Sequence, residues 1–217
     1  MRESTIMSSP AHHVVLIPVK PPQVGKSRLG DLPDQQRVAL ATAFALDAIA
    51  AVRSASRVAA VLVVTDDFRF AALAREAGCT VIPDGVSGDL NASLTQAALE
   101  AERRWPGSAI AALCADLPSL QGSDLDAALT AAPAGTAFVR DAAGTGTVLY
   151  HASRADDFAP RFGLDSAQRH LDGGAEEIVG TLRTLRQDVD DAIDLAKAIV
   201  LGVGSHTRAA VGIDEQT

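Results

Sequence analysis

The sequence predicts an α/β fold: a mostly parallel sheet with helices on both faces. Two observations carry this reading. Four short apolar runs, Val14–Val19, Val58–Thr65, Thr80–Pro83 and Ala109–Cys114, recur through the first half, each bounded by turn signals. Between them lie stretches whose small and apolar residues fall at helical spacing. The resulting β-α-β-α-β-α-β-α alternation needs helical crossovers, and those make parallel sheets. The chain has 217 residues, 47% of them hydrophobic, enough for one domain with its own core.

Taken in order, Met1–His13 is polar and aperiodic and reads as a loose tail. Val14–Val19 (VVLIPV) is the first strand, with Pro18 placed where pairing stops. A basic loop follows, KPPQVGKSR, with prolines at 21 and 22. Gln35–Arg53 is a helix with Val38, Ala41, Ala45, Ala48 and Val52 on one face and Asp34 as its N-cap. Val58–Thr65 is the second strand. Asp66-Asp67 open a helix to Ala77, and Gly78 closes it. Thr80–Pro83 is a third strand, Leu90–Arg104 a helix, Ala109–Cys114 a fourth strand. Ser123–Ala131 is a helix with Ser123 as N-cap.

The second half changes character. Thr136–Arg140 and Thr147–His151 read as short strands around Asp141–Gly146, a hairpin or sheet insertion. Arg161–Asp165 is a turn and Ser166–Leu171 a short helix. Leu182–Val189 is expected to be a last strand, Ala192–Leu201 a closing helix, and 205–217 a frayed tail.

Composition narrows the function. The net charge of −8 argues against a nucleic-acid groove or an anionic membrane surface. No apolar stretch approaches membrane-spanning length, and the first one is short and ends in Lys20, unlike a signal peptide. Cys79 and Cys114 fit no metal or redox spacing, so they read as buried thiols in a reducing compartment. A cytoplasmic protein is expected.

Three stretches could carry chemistry. First, Lys20 and Lys26, two of only three lysines, share the first loop with Arg28. Val24-Gly25-Lys26-Ser27 resembles the end of a phosphate-binding loop, but Lys20 stands where that motif needs glycine, and Leu29-Gly30-Asp31-Leu32-Pro33 breaks the helix it requires. The three cations suit a polyphosphate; a solvated surface loop is the plainer alternative. Second, Asp116 follows the fourth strand, and Pro118 keeps Leu117 out of helix. A carboxylate is thus presented beyond a strand's carboxyl end, where open α/β sheets bind ligands, although such an Asp often only caps a turn. Asp188, Asp190 and Asp191 cluster further on, one of them as an N-cap. Two carboxylates from different strands, with phosphate oxygens, are a usual Mg²⁺ environment. Third, Gly144-Thr145-Gly146-Thr147 and Arg161–Ser166 combine close backbone approach with hydroxyls and the N–H groups of a helix start, which suit an anion. A hairpin turn is the plainer reading of the first. The histidines lack evident partners and are poor catalytic candidates.

Together these motifs resemble a known family. PVKPPQVGKSRL at Pro18–Leu29, DLN at Asp89–Asn91, ADLPSL at Ala115–Leu120, GTGT at Gly144–Thr147, RFGLDS at Arg161–Ser166 and DVD at Asp188–Asp190 are similar to the 2-phospho-L-lactate/phosphoenolpyruvate guanylyltransferases of coenzyme F-420 biosynthesis. The resemblance runs from about Val14 to Gly204 and implies one nucleotidyltransferase domain over 14–204. The implied fold is MobA-like: a Rossmann-like three-layer α/β/α sandwich, with the mixed sheet of nucleotide-diphospho-sugar transferases. It implies Asp116 and Asp188 as Mg²⁺ ligands, and Thr147, Gly163 and Ser166 around the phosphorylated acceptor. Lys20, Lys26, Arg28 and Asn91 would serve the nucleotide, with Lys26 and Asp116 catalytic. Two positions depart from the pattern: Ala115 replaces a glycine, and Asp191-Ala192 replaces Thr-Pro, which leaves Asp188 and Asp190 as alternatives for the second ligand.

The implied reaction joins GTP to phosphoenolpyruvate or 2-phospho-L-lactate. The alanine- and arginine-rich, lysine-poor chain resembles the bacterial members, which favours phosphoenolpyruvate. The acceptor phosphate is largely dianionic at pH 7 and needs no protein base. A monomer or homodimer is expected, with product passed to the next enzyme. The alternatives are a molybdenum-cofactor guanylyltransferase type and a non-catalytic nucleotide-binding regulator.

Overall fold

The computed structural model describes residues 12–20, 33–86 and 88–213. Its elements are β1 (His13–Pro18), α1 (Asp34–Ser54), β2 (Val58–Val64), α2 (Phe68–Glu76), β3 (Thr80–Ile82), α3 (Leu90–Arg104), β4 (Ala109–Leu113) and α4 (Gly122–Ala131). Then come β5 (Thr136–Arg140), β6 (Thr147–Ala152), α5 (Ser166–Asp172), β7 (Glu176–Glu177), α6 (Arg183–Arg186), α7 (Ala192–Leu201) and α8 (Ser205–Val211). The seven strands form one sheet in the order β3-β2-β1-β4-β6-β5-β7. β1, β2, β3 and β4 are mutually parallel, and β6 is antiparallel to both β4 and β5. This is the expected α/β sandwich with a mostly parallel mixed sheet.

Each strand's alternation feeds two separate cores. Val15, Ile17, Ala111 and Leu113 face one side, against α1 (Ala48, Ile49, Val52) and α4 (Leu125, Ala128). Val14, Leu16, Ile110 and Ala112 face the other, against α3 (Leu94, Ala97, Ala98, Ala101). Because both faces are covered, these strands read as continuous apolar runs. α1 buries more of its circumference than one amphipathic stripe, because Leu40 and Phe44 also meet Val189, Ala198 and Val203. The chain leaves β1 towards β2 and β3, then returns to β4 on β1's other side. That reversal opens a crevice at the carboxyl ends of β1 and β4, where this class of sheet binds ligands.

Four local expectations are corrected. Leu182–Val189 is not a strand. Its centre is the single turn α6, held by Asp124, whose Oδ2 accepts from Thr184 N (2.9 Å) and Oγ1 (2.7 Å). The Arg186 guanidinium bonds the carbonyls of Arg140 and Ile178, both at 3.1 Å. The sheet edge is instead the two-residue β7, parallel to β5. Residues 205–211 are not frayed: α8 packs on α1, with Asp47 accepting from His206 N (3.0 Å) and Thr207 N (2.8 Å). Ser123 and Asp34 are not N-caps; Gln121 and Pro33 occupy those positions without a side-chain cap bond. By contrast Asp67, Asp89 and Asp191 do cap α2, α3 and α7. Among the described residues no helix is long and apolar enough to cross a membrane.

Candidate active site

The crevice between the ends of β1 and β4 holds a cavity of about 230 Å³. Pro18, Val19 and Lys20 form one wall, Cys114, Ala115 and Asp116 another, and Ala41, Phe44 and Leu90 the apolar remainder. One cation and one carboxylate thus flank a mainly apolar hollow, the composition of a site for a ring with a charged tail. Lys26 and Arg28 lie outside the described residues.

The second acidic segment reaches Asp116 through the backbone. Val189 N donates to Asp116 O at 3.1 Å, so Asp188 and Asp190 flank the residue that makes the bond. Asp188 is pushed up to about 7, first by burial and then by the charges of Asp116, Asp141 and Asp190. The structure therefore adds Asp141 to the acidic group. Its carboxylate also shapes the 144–146 turn, accepting from Thr145 N (3.1 Å) and Gly146 N (2.8 Å). A Cβ at Gly146 would run into that carboxylate and force it away from the turn amides it bonds. Such a crowd of carboxylate oxygens offers the donors a hard divalent cation takes. Among the described residues no three His, Cys, Asp or Glu form a ready cage.

The third group is arranged around His170. Cys114 ties β4 to the start of β6: its N–H donates to Val148 O at 2.9 Å and its Sγ to Thr147 O at 3.3 Å. Thr147 Oγ1 lies 3.0 Å from His170 Nδ1, and Arg161 N donates to His170 Nε2 at 2.9 Å. An imidazole accepting at Nε2 carries its proton on Nδ1 when neutral, so Nδ1–H donates to Thr147 and leaves the threonine hydroxyl proton for another acceptor. Burial first, and Arg161 after it, hold this histidine down at about 4, neutral at physiological pH. Its ring stacks on Tyr150 at 4.5 Å.

The loop before α5 is strained. Gly163 has φ 125° and Asp165 has φ 52°; a non-glycine residue in the left-handed region is uncommon. Ser166 N donates to Gly163 O and Ala167 N to Thr145 O, both at 3.1 Å. These two helix-start amides are spent within the protein, contrary to their expected role in holding an anion. Thr147 and Ser166 are buried, whereas Gly163 is exposed. Asn91 does not turn its carboxamide to a nucleoside: Oδ1 accepts from Phe162 N (2.8 Å) and Nδ2 donates to Phe162 O (3.1 Å). Sequence reasoning overlooked Asp141 and dismissed His170. The signal for His170 was its place one helical turn after Ser166.

Comparison with known proteins places the chain in a family. The family described as "Guanylyl transferase CofC like" matches residues 13–211. A Salinispora arenicola protein named phosphoenolpyruvate guanylyltransferase is 45% identical over 202 residues, covering 91% of this chain and 92% of its own. A Streptomyces coelicolor protein of the same name is 42% identical, covering 90% and 93%. The fold is shared with 4-diphosphocytidyl-2C-methyl-D-erythritol synthase (TM-score 0.58, 13% identity, covering 88% of this chain and 99% of that one). It is also shared with a nucleotidyl transferase from Methanothermobacter (TM-score 0.56, 18% identity, covering 87% and 96%).

Proposed function

Since the chain belongs to the CofC-like guanylyl transferase family and is a nucleotidyltransferase, we propose that it transfers GMP from GTP to the phosphate of phosphoenolpyruvate. Pyrophosphate is released, and the product enters coenzyme F-420 biosynthesis in the cytoplasm. The acceptor assignment is supported by relatives at 41–45% identity that bear the name phosphoenolpyruvate guanylyltransferase; 2-phospho-L-lactate is the competing acceptor.

The observation that carries the reading is the meeting of the two acidic segments beside the apolar cavity. The base of GTP would occupy the hollow under Phe44 and Leu90, with its phosphates running past Lys20 towards Asp116. Lys26 and Arg28, on the same loop as Lys20, would take the remaining phosphate charge. Asp116 and Asp188 would hold Mg²⁺, which supplies charge neutralisation at the α-phosphate and the departing pyrophosphate.

The acceptor phosphate attacks the α-phosphorus of GTP. One oxygen–phosphorus bond forms, and the bond to the β,γ-diphosphate breaks. The nucleophile is already an anion, so no histidine base is required. The chain's task is to align two polyanions, and such alignment can supply much of the rate.

The test is incubation with GTP and equal phosphoenolpyruvate, 2-phospho-L-lactate and 3-phosphoglycerate, read by pyrophosphate release and product mass. A dominant guanylylated phosphoenolpyruvate is expected. A dominant product from either other acid would overturn the acceptor, and absence of acceptor-dependent pyrophosphate would overturn the reaction.

A further inference from the structure

The backbone around Gly163 is gripped at two successive residues by two side chains the proposed reaction does not use. His170 Nε2 takes the N–H of Arg161 at 2.9 Å. Asn91, from α3 on the far side of the loop's sequence, takes the N–H of Phe162 at 2.8 Å and returns a bond to its carbonyl at 3.1 Å. Phe162 is thereby paired as a strand residue would be, by a carboxamide standing in for a neighbouring backbone. The same imidazole reaches Thr147 through Nδ1 at 3.0 Å. One ring therefore couples β6 to the loop, and α5 carries both that ring and Ser166.

What this grip presents is Gly163. Its N–H bonds nothing among the described residues, it is exposed, and its φ of 125° holds the peptide in an orientation that a side chain would oppose. Gly163 thus offers an unspent amide on a turn held by the same imidazole that bonds Thr147, whose hydroxyl proton that ring does not take; these are two donors of the kind a phosphorylated acid needs.

We infer that Asn91 and His170 are positioning residues of the acceptor site, holding Arg161–Phe162 so that Gly163 N–H and Thr147 Oγ1 converge on the acceptor. The inference rests on the proposed reaction and assigns Asn91 to the acceptor rather than to the nucleoside. Neither residue touches a reacting atom. Their loss misplaces the donors, and misplacement of about 1 Å can cost two orders of magnitude.

The two histidine contacts can be separated. In His170→Gln the terminal amide lies near the old Nε2 and keeps the Arg161 bond. In His170→Asn it lies near the old Nδ1 and keeps the Thr147 bond. Asn91→Asp is nearly isosteric but sets a charged oxygen against Phe162 O, and that repulsion turns the carboxylate away from the Phe162 peptide, so the bond from Phe162 N–H is lost together with the one to its carbonyl. Each variant is compared with wild type in amide exchange of residues 161–163 and in the KM for phosphoenolpyruvate and for GTP.

The expected result is faster exchange of the Phe162 amide in Asn91→Asp and of the Arg161 amide in His170→Asn. The KM for phosphoenolpyruvate should rise about tenfold or more, while the KM for GTP changes less than about threefold. His170→Gln should retain Arg161 protection yet still raise the acceptor KM. Unchanged exchange, or KM values for both substrates rising together, would overturn the inference and leave the guanylyltransferase reading intact. A wild-type protein that does not guanylylate phosphoenolpyruvate would overturn both. If His170→Asn does not fold, the Asn91→Asp result decides, because Asn91 is only partly buried at the edge of α3.

Discussion

Acidification should unfold this protein partly through His170. The ring is 1% exposed, and burial holds its pKa at about 4 against 6.5 for an ordinary histidine. Between those values the unfolded chain binds a proton that the folded chain refuses. Stability is therefore complete above pH 6.5 and declines as the pH falls towards 4. Integrating that linkage from pH 8 to pH 5 gives about 2 kcal/mol for this one group. For a domain of this size that is roughly 4–8 °C in Tm. Other groups titrate in the same range. His151, buried beside His13, is lowered to about 4 and adds to the effect, while Asp188, raised to about 7, opposes it. The comparison with His170→Gln removes both, since they are common to the two proteins. Urea unfolding at pH 8 and pH 5 measures the difference. Wild type should lose about 2 kcal/mol more than the variant over that interval. A wild-type-minus-variant difference constant to within about 0.5 kcal/mol would refute a neutral, buried imidazole at 170.

Other perturbations follow from the same contacts. Asp116→Asn and Asp188→Asn should keep the fold and lose most Mg²⁺-dependent transfer, because an amide is a poor ligand for a hard cation; Asp190→Asn, which is exposed, should be milder, and activity against Mg²⁺ concentration reads all three. Lys20→Ala should raise the KM for GTP roughly ten- to a hundred-fold, the worth of one charge-assisted hydrogen bond of about 1.5–3 kcal/mol, with phosphoenolpyruvate little affected; equal shifts for both would remove Lys20 from the nucleotide. Asp47→Ala should cost about 1–2 kcal/mol by uncapping α8, visible in denaturant midpoints, with KM values for both substrates unchanged.

α3 shows how much a local signal can specify. Asp89 accepts from Asn91 N and Ala92 N, both at 3.0 Å, and the helix spans Leu90–Arg104 as its sequence predicts. The segment around Leu182 shows the opposite. Leu182, Leu185 and Val189 are all buried, at helical spacings of three and four, but an apolar run near the chain's end also suits a strand. Asp124, 60 residues away, decides for the turn by bonding Thr184. β7 had no signature, since two glutamates carry no strand propensity, and it exists because β5 offers a free edge.

The site divides along the same line. Asp116 after its strand, the acidic DVD, the glycines of GTGT and the RFGLDS turn are each legible from a few neighbouring residues, because strand ends, caps and tight turns depend on local geometry. Their partners are not. Val189 to Asp116, Asn91 to Phe162, His170 to Thr147 and Asp47 to Thr207 join residues 23 to 160 positions apart. A histidine or an asparagine looks the same in the chain whether it meets substrate or backbone. Which it meets is set by what the packed sheet brings within 3 Å, and burial then makes leaving such a polar group unpaired too costly to allow.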